Sequence, residues 1–238
     1  MNKKKIITIL ASALLIIGLS TAVGIKTYNV FNESDKNPEP LIPKCTVIID
    51  AGHGGFDPGK IGVNNAKEKD INLLIALKLE KLLEQNDITV IMTRETDEGL
   101  YQASDSNKKN ADLKKRVEII NSSDAVIAVS IHQNSFSEES SSGAQVFYHN
   151  KSPEGKILAE IIQEQVKETI NDGNHRVAKS NESYYMLKKT ECPLVIVECG
   201  FLSNWREAEL LVSEKYQDKM AWAIHLGIMN YLNTYVYE

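Results

Sequence analysis

The chain has 238 residues, 42% of them hydrophobic and 25% charged, enough for one well-buried domain with a short extension and little support for more. Its formal net charge is −5, and setting aside the first 26 residues, which hold four lysines and no acid, leaves 23 basic against 32 acidic side chains, or −9. So acidic a surface argues against nucleic acid as a partner.

Lys3, Lys4 and Lys5 precede an uncharged apolar stretch over 6–25, 20 residues long. That length crosses a bilayer core of roughly 30 Å as a helix. With lysines before the stretch and none until Lys26, the positive-inside rule places the start of the chain inside and the rest outside. Residues 1–26 therefore read as an N-terminal signal or membrane anchor, and the remainder as exported. The span's length favours a retained anchor, while Ser20, Ala22 and Gly24 offer an approximate cleavage site. Residues 27–44, with Pro38, Pro40 and Pro43 among polar residues, read as a linker.

From Cys45 to the end at 238, short β-branched runs alternate with longer segments of helical period, the pattern of an α/β domain with a mostly parallel sheet. Strands are expected over 46–49, 88–92, 125–131, 144–148 and 194–197, nearly all uninterrupted apolar runs as in strands covered on both faces. A short sixth strand is drawn over 184–187. Helices are expected over about 70–85, 111–121, 153–170, 205–211 and 215–232. Asn204 with Glu207 three residues on makes a capping-box pattern for the fourth. Cys45, Cys192 and Cys199 cannot all pair within one chain, and if 194–197 is a strand, Cys192 and Cys199 lie about 23 Å apart at about 3.3 Å per residue, too far to bond.

Open α/β sheets keep their ligand sites where the C-terminal ends of parallel strands converge. Three of those ends carry metal-type or acid-base groups. The first runs into a glycine-rich turn holding His53, the third ends at His132, and the last ends at Glu198; Glu68 stands where the first helix begins. Two imidazoles and a carboxylate suit Zn²⁺ and leave a position for water, with a further carboxylate as base. Taken singly each piece is ordinary: a histidine at a strand end is commonly structural, and glycine-rich turns are frequent. Composition and periodicity do not select zinc.

The string IDAGHGGFDPG over 49–59, Glu68 fifteen positions after His53, VSIHQNS over 129–135 and ECGFLSN over 198–204 together resemble the signature of the zinc-dependent N-acetylmuramoyl-L-alanine amidases of the amidase-3 family. The similarity extends from Thr46 to about Leu232. It implies one Zn²⁺ per chain held by His53, Glu68 and His132, Glu198 as the catalytic acid and base, and a three-layer sandwich with a sheet of about six strands. It further implies that the substrate is peptidoglycan, cut between N-acetylmuramic acid and the L-alanine of the stem peptide. A short chain with an N-terminal membrane segment and no wall-binding repeats is most similar to the germination-specific amidases of spore formers, in which this cut precedes muramic-δ-lactam formation in the spore cortex. The same ligand types would also serve another zinc hydrolase of the wall, a carboxypeptidase or deacetylase, and the fold could persist in a non-catalytic wall-binding protein.

Larger members that are held inactive carry a blocking helix near the site. The segment 132–143 is too short and serine-rich to be one, so an open site is expected, regulated by localisation, an accessory protein or expression. Asp57 reads as part of a turn. Arg94 and Arg116 read as structural, His149 as an ordinary loop residue, His175 as a solvated turn residue and His225 as a packing or surface histidine. Cys199 adjoins Glu198, so on a strand it faces away from the site.

Overall fold

Five apolar or β-branched runs and one polar pair form strands, and six further segments form helices, in the computed structural model, which describes residues 45–237 together with Asn2. In chain order these are β1 (Thr46–Ala51), α1 (Glu68–Glu84), β2 (Thr89–Met92), α2 (Lys108–Asn121), β3 (Ile127–Asn134), β4 (Gln145–Tyr148), α3 (Pro153–Ile170), β5 (Lys179–Ser180), α4 (Tyr185–Lys189), β6 (Leu194–Phe201), α5 (Trp205–Leu211) and α6 (Glu214–Tyr235). Asn2 apart, the signal or anchor read over 1–26 and the linker over 27–44 lie outside the described residues. Among the described residues no helix is long and apolar enough to cross a membrane.

The strands form one sheet in the order β2-β1-β3-β6-β4-β5. β2, β1, β3 and β6 are parallel, β4 is antiparallel to β6, and β5 pairs parallel with β4. Alternation of side chains along each strand divides the core in two. Val47, Ile49, Val129, Val197 and Cys199 face the larger core, with Leu79 of α1, Ile162 of α3 and Ile224 of α6. Ile48, Ala128, Phe147 and Ile196 face the smaller one, with Ile120 of α2 and Met186 and Leu187 of α4. Both faces are thus covered, so the strands read as unbroken apolar runs. A fully buried aliphatic side chain such as Leu158 or Ile162 contributes about 1.5–3 kcal/mol through burial.

α3 has the expected limits because its ends are marked chemically. The Ser152 side chain accepts from the Gly155 amide at 3.0 Å, Pro153 opens the first turn, and Asn171 takes a left-handed conformation at the C-cap, with φ of 52°.

Two expectations need correction. Residues 184–187 are not a strand: the chain turns into α4 there, and the sixth strand is the two-residue β5. Asn204 does cap α5, accepting from the Glu207 amide at 3.1 Å, but the Glu207 carboxylate does not reach back to Asn204. It accepts instead from the Gly143 and Phe201 amides, each at 2.7 Å, and ties the loop before β4 to the end of β6.

Candidate active site

The site forms where β1, β3 and β6 end and α1 begins. β1 passes into the loop that carries His53, whose φ of 62° lies in the left-handed region, an arrangement that costs a non-glycine residue of order 1–3 kcal/mol unless its surroundings hold it. Two contacts do so. Arg116 of α2 donates to the His53 carbonyl, and Asp57 Oδ2 lies 2.9 Å from His53 Nδ1. A carboxylate at Nδ1 selects the tautomer with its proton there and leaves the Nε2 lone pair facing the cleft.

Gly52 is required by crowding: a Cβ there would stand 2.3 Å from His132 Nε2. Gly59, with φ of 67°, lies where a Cβ would be 2.5 Å from Glu68 Oε2.

Glu68, the first residue of α1, is buried. Its Oε1 stands between His53 Nε2 at 3.2 Å and His132 Nδ1 at 3.0 Å, and accepts from the Gln133 amide at 3.1 Å. Its Oε2 accepts from the Lys60 amide at 2.8 Å. Burial by itself would raise this carboxyl, but hydrogen bonds and charge from His132 and His53 hold it well below the usual carboxylate range. His132 shifts reciprocally: burial favours its neutral ring, and the Glu68 hydrogen bond raises its pKa.

His53, Glu68 and His132 each present one ligand atom, all within 4.8 Å of one another. Tetrahedral ligands about 2.1 Å from an ion are roughly 3.4 Å apart, close to the two nitrogen–oxygen separations here. Among the described residues these three are the group of His, Cys, Asp or Glu side chains able to hold a metal ion.

Glu198 lies beside His132, paired with it across β3 and β6, where the register shifts between His132 and Asn134. Such irregularities re-aim side chains at strand ends. Glu198 is buried, and its Oε2 has no hydrogen-bond partner. Burial pushes its carboxyl up to about 7; His132 opposes the rise and the Glu68 charge adds to it. The four side chains line one cleft of about 470 Å³. No helix occupies the segment after β3, in keeping with the expected open site.

Arg94 and Arg116 take structural places, and the histidines outside the cleft take ordinary ones. Buried Arg94 donates to the carbonyls of Ala51, Gly52 and Lys69, holding the turn from β1 to α1. Arg116 bridges the carboxylates of Asp50 and Asp112. His149 Nδ1 accepts from the Lys151 amide at 3.2 Å in a turn, and His225 is buried in α6 and stacked on Trp222. Cys199 faces the larger core, away from the cleft, and all three cysteines are free. Besides the Arg116 bond to the His53 carbonyl, sequence reasoning missed two functional contacts. Asp57 does make its turn, accepting from the Gly59 amide at 3.1 Å, yet also supports His53. Tyr184, read as strand, reaches Glu198. Neither has a spacing signal, because each depends on how a loop folds over a strand end.

An α/β sandwich with two imidazoles and two carboxylates gathered at parallel strand ends defines a hydrolase scaffold with a metal-type ligand set. Residues 47–230 match the family model for N-acetylmuramoyl-L-alanine amidase, Amidase_3, and the chain belongs to that family of peptidoglycan amidases. It is 38% identical over 195 residues to the germination-specific N-acetylmuramoyl-L-alanine amidase of Bacillus subtilis, covering 81% of each chain. Among solved structures it is similar to the CwlD amidase of Clostridioides difficile, determined in complex with the GerS lipoprotein. That match has 45% identity and a TM-score of 0.77, covering 79% of this chain and 98% of that one. The amidase AmiC2 of Nostoc punctiforme is similar at 32% identity and a TM-score of 0.71, with coverage of 80% and 98%.

Proposed function

We propose that this chain is a zinc-dependent N-acetylmuramoyl-L-alanine amidase of the spore cortex, with His53, Glu68 and His132 as zinc ligands and Glu198 as acid and base. The observation that carries this reading is the meeting of three ligand atoms within 4.8 Å beside a buried carboxylate whose Oε2 lacks a partner. The donor set suits Zn²⁺, and Asp57 behind His53 gives the carboxylate–histidine support that zinc sites favour. Zinc bound there would supply Lewis acidity toward water and the scissile carbonyl.

The chain's own groups carry the proton. The Glu198 carboxylate takes it from the attacking water as a C–O bond forms at the lactyl carbonyl, and returns it to the L-alanine nitrogen as the C–N bond breaks. Burial raises the Glu198 carboxyl above the usual carboxylate range, which suits a group that must both accept and release a proton. The products are a muramic-acid lactyl carboxylate and a stem peptide with a free amine.

The cortex assignment rests on similarity to the germination-specific amidase and to CwlD. It fits a domain of 45–238 exported behind a signal or anchor over 1–26 and a linker over 27–44, facing the wall or cortex. The CwlD complex with a lipoprotein supports an accessory partner of that kind here. Glu198→Gln tests the catalytic assignment: it should fold and keep one zinc per chain while amidase activity falls by about 10²-fold or more. Full activity in that variant would remove Glu198 from the mechanism.

A further inference from the structure

The Glu198 carboxylate is held differently from that of Glu68. Both Glu68 oxygens are engaged, by two imidazoles and two backbone amides. Among the described residues the Glu198 carboxylate has one hydrogen-bond partner, the Tyr184 hydroxyl, 3.4 Å from Oε1, while Oε2 is buried and unpaired. Rotation about the terminal bond of a glutamate is soft and roughly two-fold, so an untethered carboxylate would present either oxygen to the cleft. A donor on one oxygen removes that equivalence.

Tyr184 is itself well fixed. It is the N-cap residue of α4, and its amide is held by Asn181 Oδ1 at 3.0 Å. Its ring packs edge-on against Phe147, with centroids 5.7 Å apart, and Phe147 pairs with Ile196, two residues before Glu198. The turn into α4, in place of a continued strand, brings the hydroxyl over the end of β6. Burial and the Glu198 charge push its pKa up to about 12, so it keeps its proton at neutral pH and remains a donor. At 3.4 Å this is a long hydrogen bond, weaker than one at the usual separation of about 2.7–2.8 Å.

We propose that Tyr184 is a positioning residue for Glu198, donating to Oε1 and so fixing the orientation in which the carboxylate receives the proton from water and passes it to the leaving nitrogen. This rests on the reading of Glu198 given above. Tyr184 neither gains nor loses a proton in the cycle.

The test is Tyr184→Phe in the full zinc-loaded chain, which keeps the ring on Phe147 and removes the hydroxyl. The expected result is kcat lower by about tenfold, the effect of one hydrogen bond, with KM and zinc per chain unchanged. In the Glu198→Gln background, assayed at high enzyme concentration, the same change should cost nothing further, because the side chain it positions no longer carries the proton. Wild-type kcat in Tyr184→Phe would overturn the proposal. So would loss of zinc, which would make Tyr184 a support of the metal site, or a further tenfold loss on top of Glu198→Gln, which would mean that it acts on substrate directly. Full activity of Glu198→Gln alone would instead defeat the assignment of Glu198, so the two failures are distinguishable.

Discussion

Arg116 joins the stability of the domain to the geometry of the site. It is 2% exposed, yet its guanidinium pairs with Asp50, which is fully buried, and with Asp112, and donates to the carbonyls of Ala51 and His53. Arg116→Met fills similar volume but leaves the Asp50 charge without its partner, a change that costs about 3–5 kcal/mol when a buried pair is broken. Against a typical total of about 5–15 kcal/mol the domain should still fold at 25 °C. The variant also frees the His53 carbonyl, one of two contacts holding a residue in a strained backbone region. Zinc affinity should therefore fall by about 10–100-fold, the range for losing an outer support of a ligand. Urea unfolding with chelator present gives the stability change free of metal linkage, and competition with a chromophoric chelator gives the affinity. Arg116→Lys keeps the charge without the planar fork and should recover stability more than affinity. A stability within 1 kcal/mol of the parent would refute the argument about the buried pair. Lost stability with unchanged zinc affinity would refute the argument about His53.

Acid should weaken the domain through Asp50. Burial acts to raise its pKa, but Arg116, Ser130 and Thr93 bring it down to about 2 from the usual 3.8. A carboxyl depressed by folding contributes stability that is complete above the unfolded pKa, so about 2 kcal/mol should disappear as the pH falls from about 4 to 2. Asp50→Asn should lower stability at pH 7 and flatten that part of the profile; a parallel profile would assign the acid sensitivity elsewhere. Gly52→Ala should displace the His132 ring and reduce both zinc content and activity severely, because the added methyl meets the imidazole at 2.3 Å. Zinc binding and turnover equal to the parent would show that the ring has room to move. Asp57→Ala should weaken zinc binding by about 10–100-fold with little change in the melting midpoint, measurable by the same chelator competition, and unchanged affinity would reduce Asp57 to its turn.

The layered fold was legible because parallel strands buried on both faces leave unbroken apolar runs, and because Ser152, Pro153 and Asn171 mark the ends of α3 in the sequence itself. The error over 184–187 has a physical origin. Four residues are too few for period to separate strand from helix, and the true sixth strand, Lys179 and Ser180, has both residues exposed and so no apolar signature. The four residues read as the site converge because Glu68 opens α1, His53 follows β1, and His132 and Glu198 lie in the C-terminal halves of β3 and β6, where topology fixes position. Their supports were hidden for the opposite reason. Arg116 meets the His53 carbonyl across 63 positions, and Asp57 and Tyr184 act through loop conformations that spacing does not encode. Glu207 shows the same limit, since the capping pattern was present but the carboxylate found stronger use on the Gly143 and Phe201 amides.

The most direct measurement is mass analysis of peptidoglycan fragments after digestion by the purified chain, with zinc and again after chelation. The account predicts intact stem peptides beginning at a free L-alanine amine, together with glycan bearing lactyl carboxylates, and their disappearance once the metal is withdrawn. Release of acetate or of single terminal amino acids, or the same fragments in undiminished yield from metal-stripped protein, would contradict it.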